Sequence, residues 1–222
     1  MHGKKLWEGK EKGMTKIVLV RHGQTEWNIS GMYQGQTDVP LSAEGVEQAR
    51  RLAEDFPVGH LDAIYSSDLD RARVTAECLA KHFELPVRLE ASFRELNFGA
   101  WEGLSYEEII SRWPDALENF LRHPDRLHIP EGESFLALQE RAMAKVHEIV
   151  AAHPGKTVAV VAHGGILRTI LCNALHIPLE YLWSIRQFNT AVSIVCYEDG
   201  WSSVELMNST AHLGKSRILE KI

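Results

Sequence analysis

The stretch Lys16-Ile17-Val18-Leu19-Val20-Arg21-His22-Gly23 decides the fold. Its first five residues form a dense apolar run without the alternation of a half-exposed strand, and such runs belong to parallel strands covered on both faces. A second run of this kind, Thr157 to Ala162 (TVAVVA), ends in His163-Gly164-Gly165. Two buried strands, each delivering a His-Gly at its C-terminal end, predict an α/β protein whose crevice opens at that edge of the sheet, where open α/β sheets bind ligands.

Outward from these strands, the pattern alternates strand and helix. Ser42 can cap a helix with Glu44 in its first turn, and Val46, Ala49, Leu52, Ala53 and Phe56 recur at helical spacing until Pro57. Asp62 to Tyr65 reads as a short strand running into Ser66-Ser67, and Asp68 to Phe83 as a helix with Leu69, Ala72, Ala76, Leu79, Ala80 and Phe83 on one face. Pro86 to Leu89 is a further short strand, followed by a Gly-punctuated loop from Phe93 to Gly103. Ser105 to Arg122 reads as two short helices broken at Pro114, and Ser134 can cap a long helix bearing Leu138, Ala142, Val146, Ile149 and Val150. A helical run covers Ile166 to Leu175, and Thr190 to Tyr197 and Trp201 to Leu206 flank Asp199-Gly200, a strong two-residue hairpin signal. The expected fold is a three-layer α/β/α sandwich with a mostly parallel sheet and an antiparallel edge strand. One domain is expected over residues 14–213, with a flexible leader or tag-like segment at 1–13 and a tail at 214–222.

Composition bounds the function. The chain has 222 residues, 45% apolar, with 24 Lys+Arg against 30 Asp+Glu and a net charge of -6. A negative balance argues against a general nucleic-acid or anionic-membrane binder, since both require a cationic face. Cys78, Cys172 and Cys196 are odd in number and form no Cys-x-x-Cys pair, so neither a disulfide framework nor a zinc knuckle is indicated. No run of about 18 apolar residues is present, and the first 13 residues are too polar for a secretory h-region. The expected location is cytoplasmic.

The candidate chemistry gathers at the strand ends. His22 is preceded by Arg21, and Arg71 follows another strand end. Guanidinium forks bind phosphate in bidentate fashion, so two arginines near two histidines point to a phosphoryl site. Glu95, in the Gly-containing stretch Phe93 to Gly99, is a candidate general acid. Taken singly, Arg71 reads more readily as a helix-face ion-pair partner of Asp68 or Asp70, and Glu95 as an ordinary loop carboxylate; it is their combination that points to a site. Other phosphatase chemistries lack their residues. The positions six after each cysteine are Glu84, Pro178 and Ser202, so no Cys-x5-Arg exists. Asp68-Leu69-Asp70 is followed by Arg71-Ala72 and preceded by Ser66-Ser67, unlike an aspartyl-phosphate strand end, and there is no Gly-x4-Gly-Lys-[Ser/Thr]. His-Glu-x-x-His is absent, and His123 and His128 lack an obvious third ligand. No metal site and no cofactor are expected.

The string Leu19 to Asn28 (LVRHGQTEWN) resembles the signature of the histidine phosphatase superfamily, also called the phosphoglycerate mutase-like family. The resemblance runs from about Lys16 to His212. Gln34 to Ser42, Ser66 to Thr75, Phe93 to Gly103 and Val161 to Gly165 are similar to four further blocks of the family, in order. It implies that His22 is the nucleophile, accepting the phosphoryl group as phosphohistidine, that Arg21, Arg71 and a protonated His163 surround the phosphate, and that Glu95 donates a proton to the leaving oxygen. Asn28, Gln34, Gly35 and Gly164 are implied as further phosphate donors, the last at a helix N-terminus.

Within the family, mutases return the phosphoryl group to the substrate and phosphatases pass it to water. Mutases follow the glutamate block with a Gly-Leu-Asn-Lys stretch and an Arg-rich insertion. Here Gly103-Leu104 is followed by Ser105-Tyr106, the next segment supplies only Arg112 and Arg122, and Phe98 stands where mutases usually carry Tyr. Hydrolysis of a small phosphorylated metabolite is therefore expected. Glu95 to Gly103, Pro130 to Ser134 and Asn208 to Leu213 look most like the α-ribazole phosphatase group of cobalamin synthesis, making α-ribazole 5′-phosphate the expected substrate. The alternatives are a cofactor-dependent phosphoglycerate mutase, a phosphoserine or broad-specificity phosphatase, and a non-catalytic phospho-ligand-binding module. Phe98, Trp101, Trp113 and Phe120 are candidates for an apolar pocket wall, although an aromatic in a helix is more often core. A homodimer is compatible with this reading, but the sequence does not show which face would pair.

Overall fold

In the computed structural model, which describes residues 13–214, β1 (Thr15–Arg21) lies at the centre of a six-stranded sheet. Ile17, Val18, Leu19 and Val20 are fully buried, alternating between the two faces, and each such side chain stabilises the fold by about 1.5–3 kcal/mol. The other strands are β2 (Ala63–Ser66), β3 (Val87–Leu89), β4 (Thr157–Ala162), β5 (Val192–Glu198) and β6 (Trp201–Ser209), in the order β3-β2-β4-β1-β5-β6. The pairs β1·β4, β2·β4 and β2·β3 are parallel. β5 is antiparallel to β1 and β6 to β5, so the closing hairpin supplies the expected antiparallel edge. Its turn is Asp199-Gly200 with φ of 46° and 80°, the two positive values that a type I′ turn requires.

The helices are α1 (Glu26–Ser30), α2 (Ala43–Glu54), α3 (Asp70–Phe83), α4 (Tyr106–Arg112), α5 (Pro114–Arg122), α6 (Phe135–Ala152) and α7 (Gly164–Ala174). One face of the sheet packs Val18, Val20 and Ile64 against Leu52, Ala72, Ala76 and Leu79 of α2 and α3. The other packs Ile17, Leu19, Val158 and Val160 against Leu138, Val146, Ile166 and Ile170 of α6 and α7. The expected caps form: Ser42 and Ser134 accept the amides of Gly45 and Ala137 at 3.1 Å. Pro114 opens α5 at the break from α4. All of the leader but Gly13 and all of the tail but Gly214 lie outside the described residues. Among the described residues no helix is long and apolar enough to cross a membrane.

The start of α2 braces the loop after β1. A Cβ on Gly45 would stand 2.0 Å from the Gln24 carbonyl oxygen, and one on Gly23 would stand 2.4 Å from that of Gly45. Gln48 of the same helix accepts the Gln24 amide at 3.0 Å. Helix propensity alone would reward Gly45→Ala by about 1 kcal/mol. Because the opposing atoms are backbone, overpacking by about 1–3 kcal/mol outweighs that gain. We expect Gly45→Ala to lower the urea midpoint and to reduce turnover; a midpoint equal to or above wild type would refute the close-approach argument.

Candidate active site

His22 follows β1 directly, its amide donating to the Ala162 carbonyl of β4 at 3.0 Å. The ring is 3% exposed, with Nδ1 2.7 Å from the Gly23 carbonyl oxygen. A carbonyl only accepts, so Nδ1 carries the proton and Nε2 keeps its lone pair. Burial, then the Arg71 and Arg21 guanidiniums, push its pKa well below 6.5, so the ring is neutral. His163 caps the N-terminal end of α7, fully buried, its ring centroid 5.1 Å from that of His22. Its Nδ1 accepts from Arg71 Nε at 3.2 Å, and its Nε2 lies 2.8 Å from Ser67 Oγ. An acceptor Nδ1 means a neutral ring with the proton on Nε2. Burial and the neighbouring Arg71, His22 and Arg21 all lower its pKa. The expected protonated His163 is thus corrected: with Nδ1 accepting from Arg71 and burial opposing charge, the ring is neutral.

Arg71, in the first turn of α3, is 1% exposed and donates from Nη1 to the Thr37 carbonyl at 2.8 Å and from Nη2 to the Gly35 carbonyl at 2.6 Å. It is not the helix-face partner of Asp68 or Asp70, which pair instead with Arg94 and Arg73. Arg21 donates from Nη1 to the Gln187 carbonyl at 2.6 Å, while its buried Nε has no hydrogen-bond partner. Burial, with Arg168 second, lowers its pKa to about 10, which still leaves a cation at neutral pH. A cavity of about 330 Å³ is lined by Arg21, His22, Asn28, Gln34, Gly35, Arg71, Glu95 and Gly164. The expected residues therefore converge, except that His163 stands behind Arg71 rather than on the wall. Asn28 Oδ1 accepts from the Thr25 amide and from Asn189 Nδ2, leaving its own NH₂ as the free end.

Glu95 is held by α7. Its Oε2 accepts the Gly165 amide at 2.8 Å, and its Oε1 accepts those of Ile166 at 3.1 Å and Leu96 at 2.9 Å. Gly165 is required here, since a Cβ would stand 2.5 Å from Oε1. With a single amide on Oε2, that oxygen has room for a proton. Its main-chain carbonyl accepts from Arg141 Nη2 at 2.9 Å, and Arg141 is fixed by Glu133 of the Pro130 to Ser134 stretch.

Sequence reasoning missed several supports. Glu102 accepts the amides of Gln36 and Thr37 at 2.8 and 2.9 Å and so sets the loop carrying Gly35. Thr75 Oγ1 accepts the Gly23 amide at 3.0 Å. Thr190, at φ 55°, donates its amide to the Arg21 carbonyl at 3.1 Å, and its Oγ1 lies 2.9 Å from His212 Nε2. That last contact gives the late Asn208 to Leu213 stretch a place behind the nucleophile loop. Arg168, one turn into α7, lines the cavity unforeseen. Of the aromatic candidates, Phe98 and Phe120 line the cavity with Trp27, Tyr33, Phe135 and Trp183, whereas Trp101 is fully buried core and Trp113 packs at its margin. Among the described residues no three His, Cys, Asp or Glu side chains converge as metal ligands.

Known proteins match this arrangement along the whole domain. The pattern of the histidine phosphatase superfamily (branch 1) covers residues 17–210. Phosphoserine phosphatase 1 of Hydrogenobacter thermophilus is 34% identical over 202 residues, 91% of this chain and 96% of that protein. Among solved structures, YhfR of Bacillus stearothermophilus superposes with a TM-score of 0.86 at 34% identity, covering 90% of this chain and 99% of its own. A putative α-ribazole-5′-phosphate phosphatase of Escherichia coli gives 0.80 at 26% identity, with 89% and 97% covered. The match begins inside β1 and ends just beyond β6, spanning both histidine strands and the loops between them: the chain belongs to branch 1 of the histidine phosphatase superfamily.

Proposed function

We propose that the protein, a phosphatase, hydrolyses small phosphomonoesters through a phosphohistidine on His22. The observation that carries this reading is the neutral His22 with its free Nε2 in a cavity walled by Arg21 and Arg71. His22 Nε2 attacks phosphorus as the bond to the ester oxygen breaks, and Glu95 passes its proton to that oxygen, releasing the alcohol. Water then attacks phosphorus, the P–N bond breaks, and Glu95 takes the proton back. Charge on the equatorial oxygens is met by Arg21, Arg71, the Asn28 amide and the α7 N-terminus, so that catalysis is mainly positioning and electrostatics. His163 acts through Arg71, holding its guanidinium from behind.

Hydrolysis is favoured over mutase chemistry because neither Arg112 nor Arg122 reaches the cavity; Arg112 is exposed and Arg122 pairs with Glu118 at 3.8 Å. The assignment to α-ribazole 5′-phosphate rests on the Glu95 to Gly103, Pro130 to Ser134 and Asn208 to Leu213 stretches. The phosphoserine phosphatase relative, at higher identity than the putative α-ribazole neighbour, supports phosphoserine or a broader range as the competing reading.

Phosphate release in EDTA from α-ribazole 5′-phosphate, phosphoserine, 3-phosphoglycerate and p-nitrophenyl phosphate, with 2,3-bisphosphoglycerate-primed mutase turnover alongside, tests the proposal. Release undiminished by EDTA and lost in His22→Ala is expected, with Glu95→Gln reducing kcat by about 10²–10⁴-fold. Substantial turnover by His22→Ala, or a strict Mg²⁺ requirement, would sink it. Histidine side-chain NMR should find His22 and His163 neutral at pH 6. The unfolded chain takes up their protons near pH 6.5 while the native state resists, so Tm should fall as pH drops below about 6.5. A His163 signal titrating at or above 6.5 contradicts the assigned hydrogen bonding.

A further inference from the structure

The parallel strands β2, β4 and β1 are neighbours, and each runs directly into a buried polar residue. Ser66 of β2 stands opposite Val161 of β4, and the Ser67 amide extends that ladder onto the Val161 carbonyl at 2.9 Å. Ser67, His163 and His22 therefore follow one another across the sheet edge in strand order. The two histidines have roles in the chemistry above. Ser67, fully buried and not among the cavity-lining residues, has none.

The hydrogen bonds of Arg71 show what Ser67 is for. A guanidinium has five N–H donors. Nη1 and Nη2 each direct one to a main-chain carbonyl, those of Thr37 and Gly35, and Nε donates to His163 Nδ1. One N–H on each Nη is left for the phosphoryl group. The two carbonyls define an axis through the terminal nitrogens, and the contact at Nε stops the guanidinium plane from turning about it. That contact needs the Nδ1 lone pair; a half-turn of the imidazole would set Cδ2 against Arg71 instead.

Ser67 opposes that turn. With Nδ1 an acceptor, the proton of the neutral ring sits on Nε2, which donates to Ser67 Oγ at 2.8 Å. In this orientation both ring nitrogens meet a partner; after a half-turn Ser67 and Arg71 would both face carbon, and a buried N–H without an acceptor is costly. The same oxygen accepts the Leu69 amide at 3.3 Å, a longer contact that belongs to the start of α3. We propose that Ser67 is a positioning residue for the phosphoryl chemistry: by accepting the Nε2 proton of His163, it locks the imidazole in the orientation whose Nδ1 holds the Arg71 guanidinium in plane. This rests on the phosphatase reading above and adds to it the side chain that acts on Arg71 through His163.

Ser67→Ala removes the acceptor, and Ser67→Cys fills its volume with a weak one. Both should lower kcat/KM for p-nitrophenyl phosphate by about 10- to 100-fold, the equivalent of one buried donor left unsatisfied. Because Ser67 acts through His163, the losses should not add: in a His163→Ala background, Ser67→Ala should cost no more than about twofold further. Full additivity would assign Ser67 to the start of α3 through Leu69 and overturn the proposal. Side-chain NMR of wild type reads the geometry without any variant. His163 should show a bare Nδ1 and an Nε2 proton protected from solvent exchange, and Ser67→Cys should lose that protection; a proton on Nδ1 would overturn the proposal. The same double-mutant cycle, measured as calorimetric affinity for inorganic phosphate, separates this inference from the hydrolytic reading. A wild type that hydrolyses nothing, yet loses phosphate affinity in Ser67→Ala and no more in the double variant, would sink the phosphatase reading and leave this one standing. Turnover abolished in His22→Ala but unchanged in Ser67→Ala would sink this one alone.

Discussion

The register between two neighbouring parallel strands governs the rest of the molecule. Arg21 of β1 stands opposite Ala162 of β4, and the next amide, that of His22, closes the ladder onto the Ala162 carbonyl. This brings the residues just past each strand, His22 and His163, side by side with rings 5.1 Å apart. A one-residue slip would turn one set of side chains to the opposite face and separate them. The apolar residues of β1 and β4 resist such a slip because both faces of each strand are buried, so the hydrophobic core and the catalytic geometry are enforced by the same side chains.

Around that pair, the protein accumulates buried positive charge before any anion arrives. Arg71 hands its donors to two backbone carbonyls and to His163, and Arg21 keeps Nε unpaired. Placing these groups in a low-dielectric site is unfavourable for the empty protein and favourable for a bound phosphoryl group, whose charge needs no reorganised solvent to meet it. Burial, and after it the same cations, keeps both imidazoles neutral. A nucleophilic His22 is thus a by-product of the phosphate site, not a separate adjustment.

Rigidity comes from backbone contacts that only glycine allows and from carboxylates that accept main-chain amides. Gly45 brings α2 against the Gln24 backbone, and Gly165 lets Glu95 sit on the first amides of α7. Glu102 plays the corresponding part for the loop carrying Gly35. Each of these carboxylates exchanges solvation for fixed backbone donors, which holds the loops at the sheet edge.

Much of this was legible in the sequence because it is local. Continuous apolar runs marked β1 and β4, Ser42 and Ser134 marked helix starts, Pro114 marked the break between α4 and α5, and Asp199-Gly200 marked the hairpin. The motif blocks located the cavity residues from Arg21 to Gly164. What depends on distant partners was not legible: the five-residue α1 has too little periodicity to detect, Trp101 and Phe120 are both buried in the core but only Phe120 also lines the cavity, and the protonation of His163 is set by burial and by Arg71, remote in sequence. Arg168 reads along the chain as an ordinary helix-face arginine. The sequence by itself therefore determined the strands, the caps and the identity of the reactive groups, since these follow from short-range pattern. Only the tertiary structure decided which proton each ring carries and which guanidiniums share the cavity, because both depend on the summed charge and solvent exclusion of groups far apart along the chain.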